Sequence, residues 1–263
     1  ARQLVILPEA LSEALKDLSR RAGLTLFITL MAAFKTLLSR YTGQVDLVVG
    51  FPIANRNWGA TEDLIGFFAN TLVLRTDLSD NPTFSELLIR VRHFCWEAYT
   101  YQDLPFERLV EELHPNRELG RNPLFQVMFV LQVAESTRTA IEGLASEPLD
   151  VDAGTSKFDL TLSLTERDKK LTGSFEYSTD LFDHSTIERM VGHFQTLLEG
   201  IVGDPDQRIS DLPLLTEDEK RQLLFEWNNT EADYPKDKCI HELFEEQAKQ
   251  TPNAVAVTLE GQR

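Results

Sequence analysis

Histidine pairs, cysteine clusters and phosphate-binding glycine loops are missing from this 263-residue chain. Its five histidines are scattered singly, so none forms an adjacent or i,i+4 pair of the kind that binds a metal. Cys95 and Cys239 lie far apart without a Cys-x-x-Cys motif, which excludes a disulfide framework and favours a reducing cytoplasm. No Gly-x-x-x-x-Gly-Lys loop and no Gly-x-Ser-x-Gly elbow occurs. We therefore expect no metal site and no catalytic residue in this chain.

Basic residues and long apolar runs are also scarce. The chain has 26 lysines and arginines against 42 acidic residues, a formal net charge of -16. A chain this acidic repels phosphate backbones and anionic lipids, so we expect no nucleic-acid partner and no membrane partner. No apolar run approaches the roughly 20 residues of a membrane span. The sequence begins neither with methionine nor with a signal-peptide pattern, so we expect a piece of a longer, cytoplasmic chain.

The hydrophobic pattern that is present predicts alternating helices and strands up to about Ser210. Apolar residues repeat at helical spacing in five segments, which begin near Leu11, Thr25, Thr83, Pro105 and Asp183. Strand-like runs occupy residues 46–53, 67–76, 124–133, 156–168 and 169–182, and the last two are predicted to form a hairpin. After Ser210 a charged linker leads to one helix and one strand, too little to bury a core. The predicted fold class is α+β: a mixed sheet with helices packed on it, plus a C-terminal linker.

Polar residues interrupt the apolar pattern where strands and helices meet. Alternation along the strand at 67–76 places Asn70 among apolar side chains, so its amide needs partners in the core or lines a cavity. The segment 101–107 crowds an aromatic, an amide and two carboxylates at the start of a short helix. Asp103 there either caps that helix or contributes to a site.

Two further polar groups leave similar alternatives. Arg121 and Asn122 either form a surface turn before a strand or fix a loop beside a cavity. His184 and His193, on a predicted amphipathic helix, are expected at the surface or at an interface rather than as catalytic bases.

Three segments, in this order, resemble motifs of nonribosomal-peptide-synthetase condensation domains. Residues 65–71, with Arg75 behind them, are similar to Ile-Gly-x-Phe-Val-Asn-Thr followed by arginine. Residues 102–107 match Gln-Asp-x-Pro-Phe-Glu, and 117–124 resemble Arg-Asp-x-Ser-Arg-Asn-Pro-Leu. The departures are Ala69 for valine, Tyr101 for the usual polar residue, Glu118 for aspartate and Gly120 for serine. Independently, residues 240–247 and 251–257 resemble the opening of an adenylation domain.

The resemblance implies a fold of two chloramphenicol-acetyltransferase-like lobes with a reaction tunnel between them. The family's His-His-x-x-x-Asp-Gly signature belongs to the N-terminal lobe, and no adjacent histidines occur here. The resemblance thus divides the chain into a C-terminal condensation lobe (1–215), a linker (216–234) and an adenylation-domain fragment (235–263). The lobe is expected to be inactive by itself.

What the resemblance implies about function is peptide-bond formation between carrier-protein-bound thioesters. It implies that no cofactor binds directly and that the substrates arrive on the phosphopantetheine arms of carrier proteins. The implied partners are those carrier proteins, the N-terminal lobe and the adenylation domain. The residues expected to line or brace the tunnel wall are Asn70, Thr71, Gln102, Asp103, Arg121 and Asn122. The alternatives are a non-catalytic scaffold that docks carrier or adenylation domains, or a heterocyclization or epimerization relative.

Overall fold

Six strands form one mixed sheet in the order β1-β6-β5-β4-β2-β3. A computed structural model of the chain describes residues 1–115, 121–133, 154–167, 169–233, 235–255 and 257. The strands are β1 (Arg2–Ile6), β2 (Asp46–Ile53), β3 (Asn70–Asp77), β4 (Val127–Val133), β5 (Leu160–Arg167) and β6 (Lys170–Tyr177). Strand β4 is parallel to β2 and β5, and the other neighbours are antiparallel. Arg167 lies opposite Lys170, which confirms the predicted β5–β6 hairpin.

The described residues form eight α-helices. They are α1 (Glu9–Arg21), α2 (Leu26–Thr42), α3 (Gly59–Glu62), α4 (Phe84–Thr100), α5 (Phe106–Leu113), α6 (His184–Gly203), α7 (Glu217–Arg221) and α8 (Ile240–Gln250). Thr25 caps α2 by accepting the Ile28 N–H, and the predicted Thr83–Glu86 capping box at α4 is confirmed. Asp183 stands at the N-cap of α6 as predicted, but its side chain makes no cap hydrogen bond.

The core lies between the sheet and the helices. Helices α1, α2, α4 and α6 contact one another and the strands. A chain of aromatic rings crosses this layer: Phe27 lies 5.0 Å from Phe51 and 5.5 Å from Phe129, and Phe34 lies 6.1 Å from Phe175. Rings at these separations add edge contacts to the large apolar area that each buries. The predicted α+β fold class, a mixed sheet with packed helices, is confirmed.

Two strand predictions need correction. The sequence pattern did not identify β1, whose Leu4 and Ile6 are exposed while Val5 is buried. It becomes a strand because it pairs with β6, more than 160 residues away. The strand predicted at 67–76 begins at Asn70 instead, and Phe67 is 92% exposed.

Lys35 is buried inside the helix layer, contrary to the usual position of a lysine. Its Nζ donates to the carbonyl oxygens of Leu47 at 3.1 Å and Leu74 at 2.7 Å, on adjacent strands. Burial lowers the pKa of Lys35 to about 7. The amine therefore loses much of its tendency to be charged at neutral pH.

The chain divides into two compact units, Ala1–Thr216 and Glu217–Arg263. In the second unit α7 continues into a π-helical turn, Gln222–Glu226, and α8 follows. None of the described residues of this unit is buried.

No single helix among the described residues is long and apolar enough to cross a membrane. Helices α1 and α2 pass such a test only as a pair, and they meet at an angle of 109°.

Candidate functional site

Asn70 is the first residue of β3, and its side chain links this strand to the start of α5. Its Nδ2 donates to the carbonyl oxygens of Gln102 at 2.9 Å and Leu104 at 2.8 Å. Its Oδ1 accepts the backbone N–H groups of Thr71 at 2.9 Å and Phe106 at 3.1 Å. One amide thus makes four hydrogen bonds, which is close to the capacity of this side chain. The expectation that Asn70 needs polar partners is met by the backbone of the turn before α5.

The cap of α5 comes from Asn70 and not from Asp103. Phe106 is the first residue of α5, and its N–H is one of the groups that a helix leaves without an internal partner. Asn70 satisfies it from 36 positions away in sequence. The Asp103 carboxylate makes no hydrogen bond with a described residue and is exposed, so the capping interpretation of Asp103 is wrong.

A pocket of about 240 Å³ lies beside this junction. Three of the sequence-predicted site residues line it: Asn70, Thr71 and Asp103. Gln102 takes part through its backbone carbonyl. The remaining wall is made by Asn55, Phe67, Phe68, Ala69, Pro105, Phe106 and Glu107. Two of the resemblance-bearing segments, 65–71 and 102–107, therefore meet at one place.

The described end of the third segment, residues 121–124, does not line the pocket. Asn122 Nδ2 donates to the carbonyl oxygen of Lys157 at 3.0 Å, so this residue fixes the approach to β5. Phe125, which follows, packs edge-on against Phe106 at 5.7 Å and stacks on Phe158 at 5.2 Å. Phe125, and not Asn122, thus supports the pocket wall, through its ring contact with Phe106. Arg121 is exposed and does not line the pocket, and residues 117–120 of the motif lie outside the described residues.

Arg56 organises the loop on the other side of the pocket, a role that the sequence pattern did not indicate. Its guanidinium donates to the carbonyl oxygens of Thr61 and of Leu64, the latter at 2.9 Å. It also lies 4.4 Å above the ring of Phe68, a pocket residue. Cation–π contact and backbone hydrogen bonds together fix the loop conformation. Because this role depends on loop carbonyls, no spacing of residue types in the sequence predicts it.

The described histidines do not supply a base at this pocket. His193, expected at the surface or an interface, is buried, and its Nδ1 lies 2.7 Å from the Tyr41 hydroxyl. His184 Nδ1 lies 3.1 Å from the Tyr177 hydroxyl. Among the described residues, no histidine lines the pocket. In the same part of the chain, no group of three or more His, Cys, Asp and Glu side chains is arranged to hold a metal. Because the Asn70 amide is occupied by backbone groups, the groups that the pocket offers to orient a substrate are the Asn55 amide, the Thr71 hydroxyl and the carboxylates of Asp103 and Glu107.

Comparison with known proteins gives a family. A family model described as a Condensation domain matches residues 1–224. One of the proteins that make up the linear gramicidin synthase of Brevibacillus parabrevis is 53% identical over 252 residues. That alignment covers 95% of this chain and 3% of the synthase protein, so the chain spans a small part of this relative's length.

Solved structures resemble the chain in fold. The X-domain from teicoplanin biosynthesis, in its complex with OxyB, matches with a TM-score of 0.74 at 32% identity, over 82% of this chain and 48% of that one. A holo four-domain nonribosomal peptide synthetase bound to AMP and glycine matches with a TM-score of 0.86 at 22% identity, over 98% of this chain and 21% of that one. The second likeness is one of fold alone.

Proposed function

Because the chain belongs to the condensation-domain family of nonribosomal peptide synthetases, we propose that residues 1–215 are the C-terminal lobe of a domain that joins two carrier-bound thioesters by a peptide bond. The family has the chloramphenicol-acetyltransferase-like fold, which the six-stranded mixed sheet and its helices represent here. Beyond family membership, we propose that these residues form one half of the domain and that the pocket at Asn70 helps to position the substrates.

The observation that carries the proposal is the junction at Asn70. It brings segments 65–71 and 102–107 together around a pocket, and Phe125, the residue after the third segment, packs against Phe106 in the pocket wall. A wall made of amide, hydroxyl and carboxylate groups on a rigid support suits a reaction that depends mainly on holding two substrates in place.

The chemistry explains why positioning is enough for this lobe. The acceptor amine nitrogen attacks the donor thioester carbon, a C–N bond forms, the C–S bond breaks, and the carrier thiol leaves. The amine gives up a proton, which needs a base, and a negative oxygen develops on the carbonyl carbon. The base is proposed to lie in the N-terminal lobe, with the His-His-x-x-x-Asp-Gly signature that this chain lacks. Asn70, Thr71 and Asp103 would then form the facing wall.

The partners follow from this division of labour. They are carrier proteins, whose phosphopantetheine arms bring in both substrates, and the N-terminal lobe. Residues 216–234 are proposed as a linker and 235–263 as the start of an adenylation domain. Support for the latter is that α8 lies where the resemblance to an adenylation opening begins. The lobe by itself is proposed to be inactive and the whole synthetase to be cytoplasmic.

A non-catalytic docking role is the second candidate. The teicoplanin X-domain, 32% identical to this chain, was solved in complex with another protein, OxyB. A condensation-type fold in that protein thus serves as a binding partner. If this chain acts in the same way, its pocket variants will leave peptide formation unchanged.

The test uses the chain assembled with an N-terminal condensation lobe and loaded carrier proteins. Asn70→Ala removes four hydrogen bonds that place the pocket wall, and we expect kcat for peptide formation to fall at least about 10-fold. We propose that carrier proteins dock outside the pocket, so the KM for the carrier protein should stay within about 2-fold. Gln195→Ala, which removes a surface amide that donates to Glu199 on α6, is the matched control. Unchanged kcat in Asn70→Ala would contradict the role of this pocket.

A further inference from the structure

Strand β3 lies at one edge of the sheet and presents unpaired backbone groups there. The Leu78 N–H donates to the Val45 carbonyl oxygen at 2.6 Å. This bond identifies which opposite residues of β2 and β3 form the hydrogen-bonded pairs of the ladder. Paired residues alternate in an antiparallel ladder, so Leu72, Leu74 and Thr76 bond to β2. The residues between and beside them, whose N–H and C=O point away from β2, are Thr71, Val73, Arg75 and Asp77.

Part of this outward edge is already occupied. The Thr71 N–H donates to Asn70 Oδ1 at 2.9 Å, and the Asp77 carbonyl accepts from Arg90 at 3.1 Å. In the described part of the chain β3 has no strand neighbour on this side, which leaves the N–H and C=O of Val73 and Arg75 open. Two residues of this kind, two positions apart, offer four backbone hydrogen bonds to an extended segment.

A groove of about 770 Å³ lies between this edge and α4. Its apolar lining comes from Val73 on the strand and from Phe94, Ala98 and Tyr101 on or just after the helix. An open strand edge beside an apolar groove suits β-strand addition. In that mode backbone hydrogen bonds give affinity and alternate side chains enter the groove.

The rim of the groove is acidic. Arg75 is neutralised by Asp46, since its Nε and Nη2 donate to that carboxylate at 2.9 and 2.6 Å. Asp77 and Glu97 also line the groove. Hydrogen bonds from the backbone and hydroxyl of Ser79 lower the pKa of Asp77, which keeps it ionised at neutral pH. A cationic segment is therefore favoured over a neutral or acidic one.

We propose that the groove between β3 and α4 binds an extended, lysine- or arginine-containing peptide segment of a partner protein, which adds to β3 as a seventh strand. The open N–H and C=O groups of Val73 and Arg75 fix its backbone, and Asp77 and Glu97 select its charge. A second copy of this chain fits less well, because edge-to-edge pairing would bring two acidic rims together. This site is separate from the Asn70 pocket and does not depend on the proposed condensation role.

The probe is a fluorescein-labelled pentapeptide of alternating lysine and valine, titrated into the full chain by fluorescence anisotropy. Val73→Pro removes an outward N–H without touching the bonds to β2, a position where strands tolerate proline. We expect it to weaken binding at least about 10-fold. Glu97→Gln should weaken binding about 3-fold, and this difference should vanish in high salt. Glu188→Gln on α6 makes the same charge change away from the groove and should leave binding unchanged.

Two further measurements keep the test decisive if Val73→Pro fails to fold. Bound peptide should slow hydrogen exchange of the Val73 and Arg75 amides in the unaltered chain. The same peptide with N-methyl groups on its strand-facing amides should not bind. Equal binding of the N-methylated or of a glutamate–valine peptide would overturn the proposal. A dimer of this chain that Val73→Pro dissociates would also overturn the proposal, because a second copy of the chain would then occupy the groove.

Discussion

Lys35 shows how tertiary structure can reverse the expected position of a residue. Its place in α2 follows from the pattern of the apolar residues around it, but a lysine there is expected to reach solvent. Instead, the carbonyls of Leu47 and Leu74 accept its two hydrogen bonds. A neutral amine has two N–H groups, and both are satisfied, whereas the charged form has a third. Burial and this count both favour the neutral form.

The pH dependence of stability follows from the Lys35 pKa. Its folded value, about 7, lies below its ordinary value of 10.5, so between these values the unfolded chain binds more protons. Stability should therefore rise with pH across this window and fall as the pH drops towards 7. From pH 6.5 to 8.5 we expect the free energy of unfolding to rise by about 2 kcal/mol, measured by urea denaturation.

Lys35→Met is the matched variant and should remove this slope. The measurement stops near pH 8.5 because burial raises the pKa of the neighbouring Cys95 to about 11, which gives an opposite slope at higher pH. Asp46, the other charged group that acts on Lys35, is ionised throughout this range. An identical slope in Lys35→Met would show that other groups cause it.

Asn70 illustrates what the sequence could and could not predict about single residues. Alternation along the strand correctly indicated that its amide needs partners. It could not indicate that three of the four partners are backbone groups 32 to 36 positions away, because a long-range contact leaves no local pattern. For the same reason the sequence offers Asp103, a nearby suitable side chain, as one candidate for the cap of α5, whereas the Phe106 N–H is bound by Asn70.

At the scale of elements, local signals were enough where the structure is locally determined. The Thr83–Glu86 box and the β5–β6 hairpin depend on residues a few positions apart, and both were predicted. Strand β1 depends on β6, and a five-residue run with two exposed apolar side chains does not identify itself as an edge strand. Strand β1 was thus missed because its own apolar pattern is weak and only its distant partner makes it a strand.

The β5–β6 hairpin requires glycine at position 173. A Cβ on Gly173 would overlap the carbonyl oxygen of Ser163 in the paired strand. Since backbone in a sheet cannot move aside without breaking the ladder, we expect Gly173→Ala to lower the free energy of unfolding by about 3 kcal/mol or more. Gly203→Ala, at the end of α6 where a Cβ meets no atom within 4 Å, should leave stability unchanged or slightly raised. Chemical denaturation of both variants measures the difference, and equal stability would contradict it.

At the scale of the whole molecule, the order of the motifs along the chain was enough to indicate the family and the fold class. The teicoplanin X-domain chain is about twice as long as the part that this chain matches. Such a length is consistent with a half-domain that needs a second lobe. The described lining of the Asn70 pocket holds polar side chains and no histidine, and the base is proposed to lie in the other lobe.

The most direct test of the half-domain proposal is an intact-mass assay for peptide on the acceptor carrier protein, with both carriers loaded. The assay is run with this chain alone and then with the N-terminal condensation lobe added. We predict no product from the chain alone and product from the two lobes together, with the peptide attached to the acceptor carrier. Product from this chain alone would place the catalytic base within these 263 residues and contradict the proposal. An assembled pair of lobes without product would equally contradict the role proposed for residues 1–215.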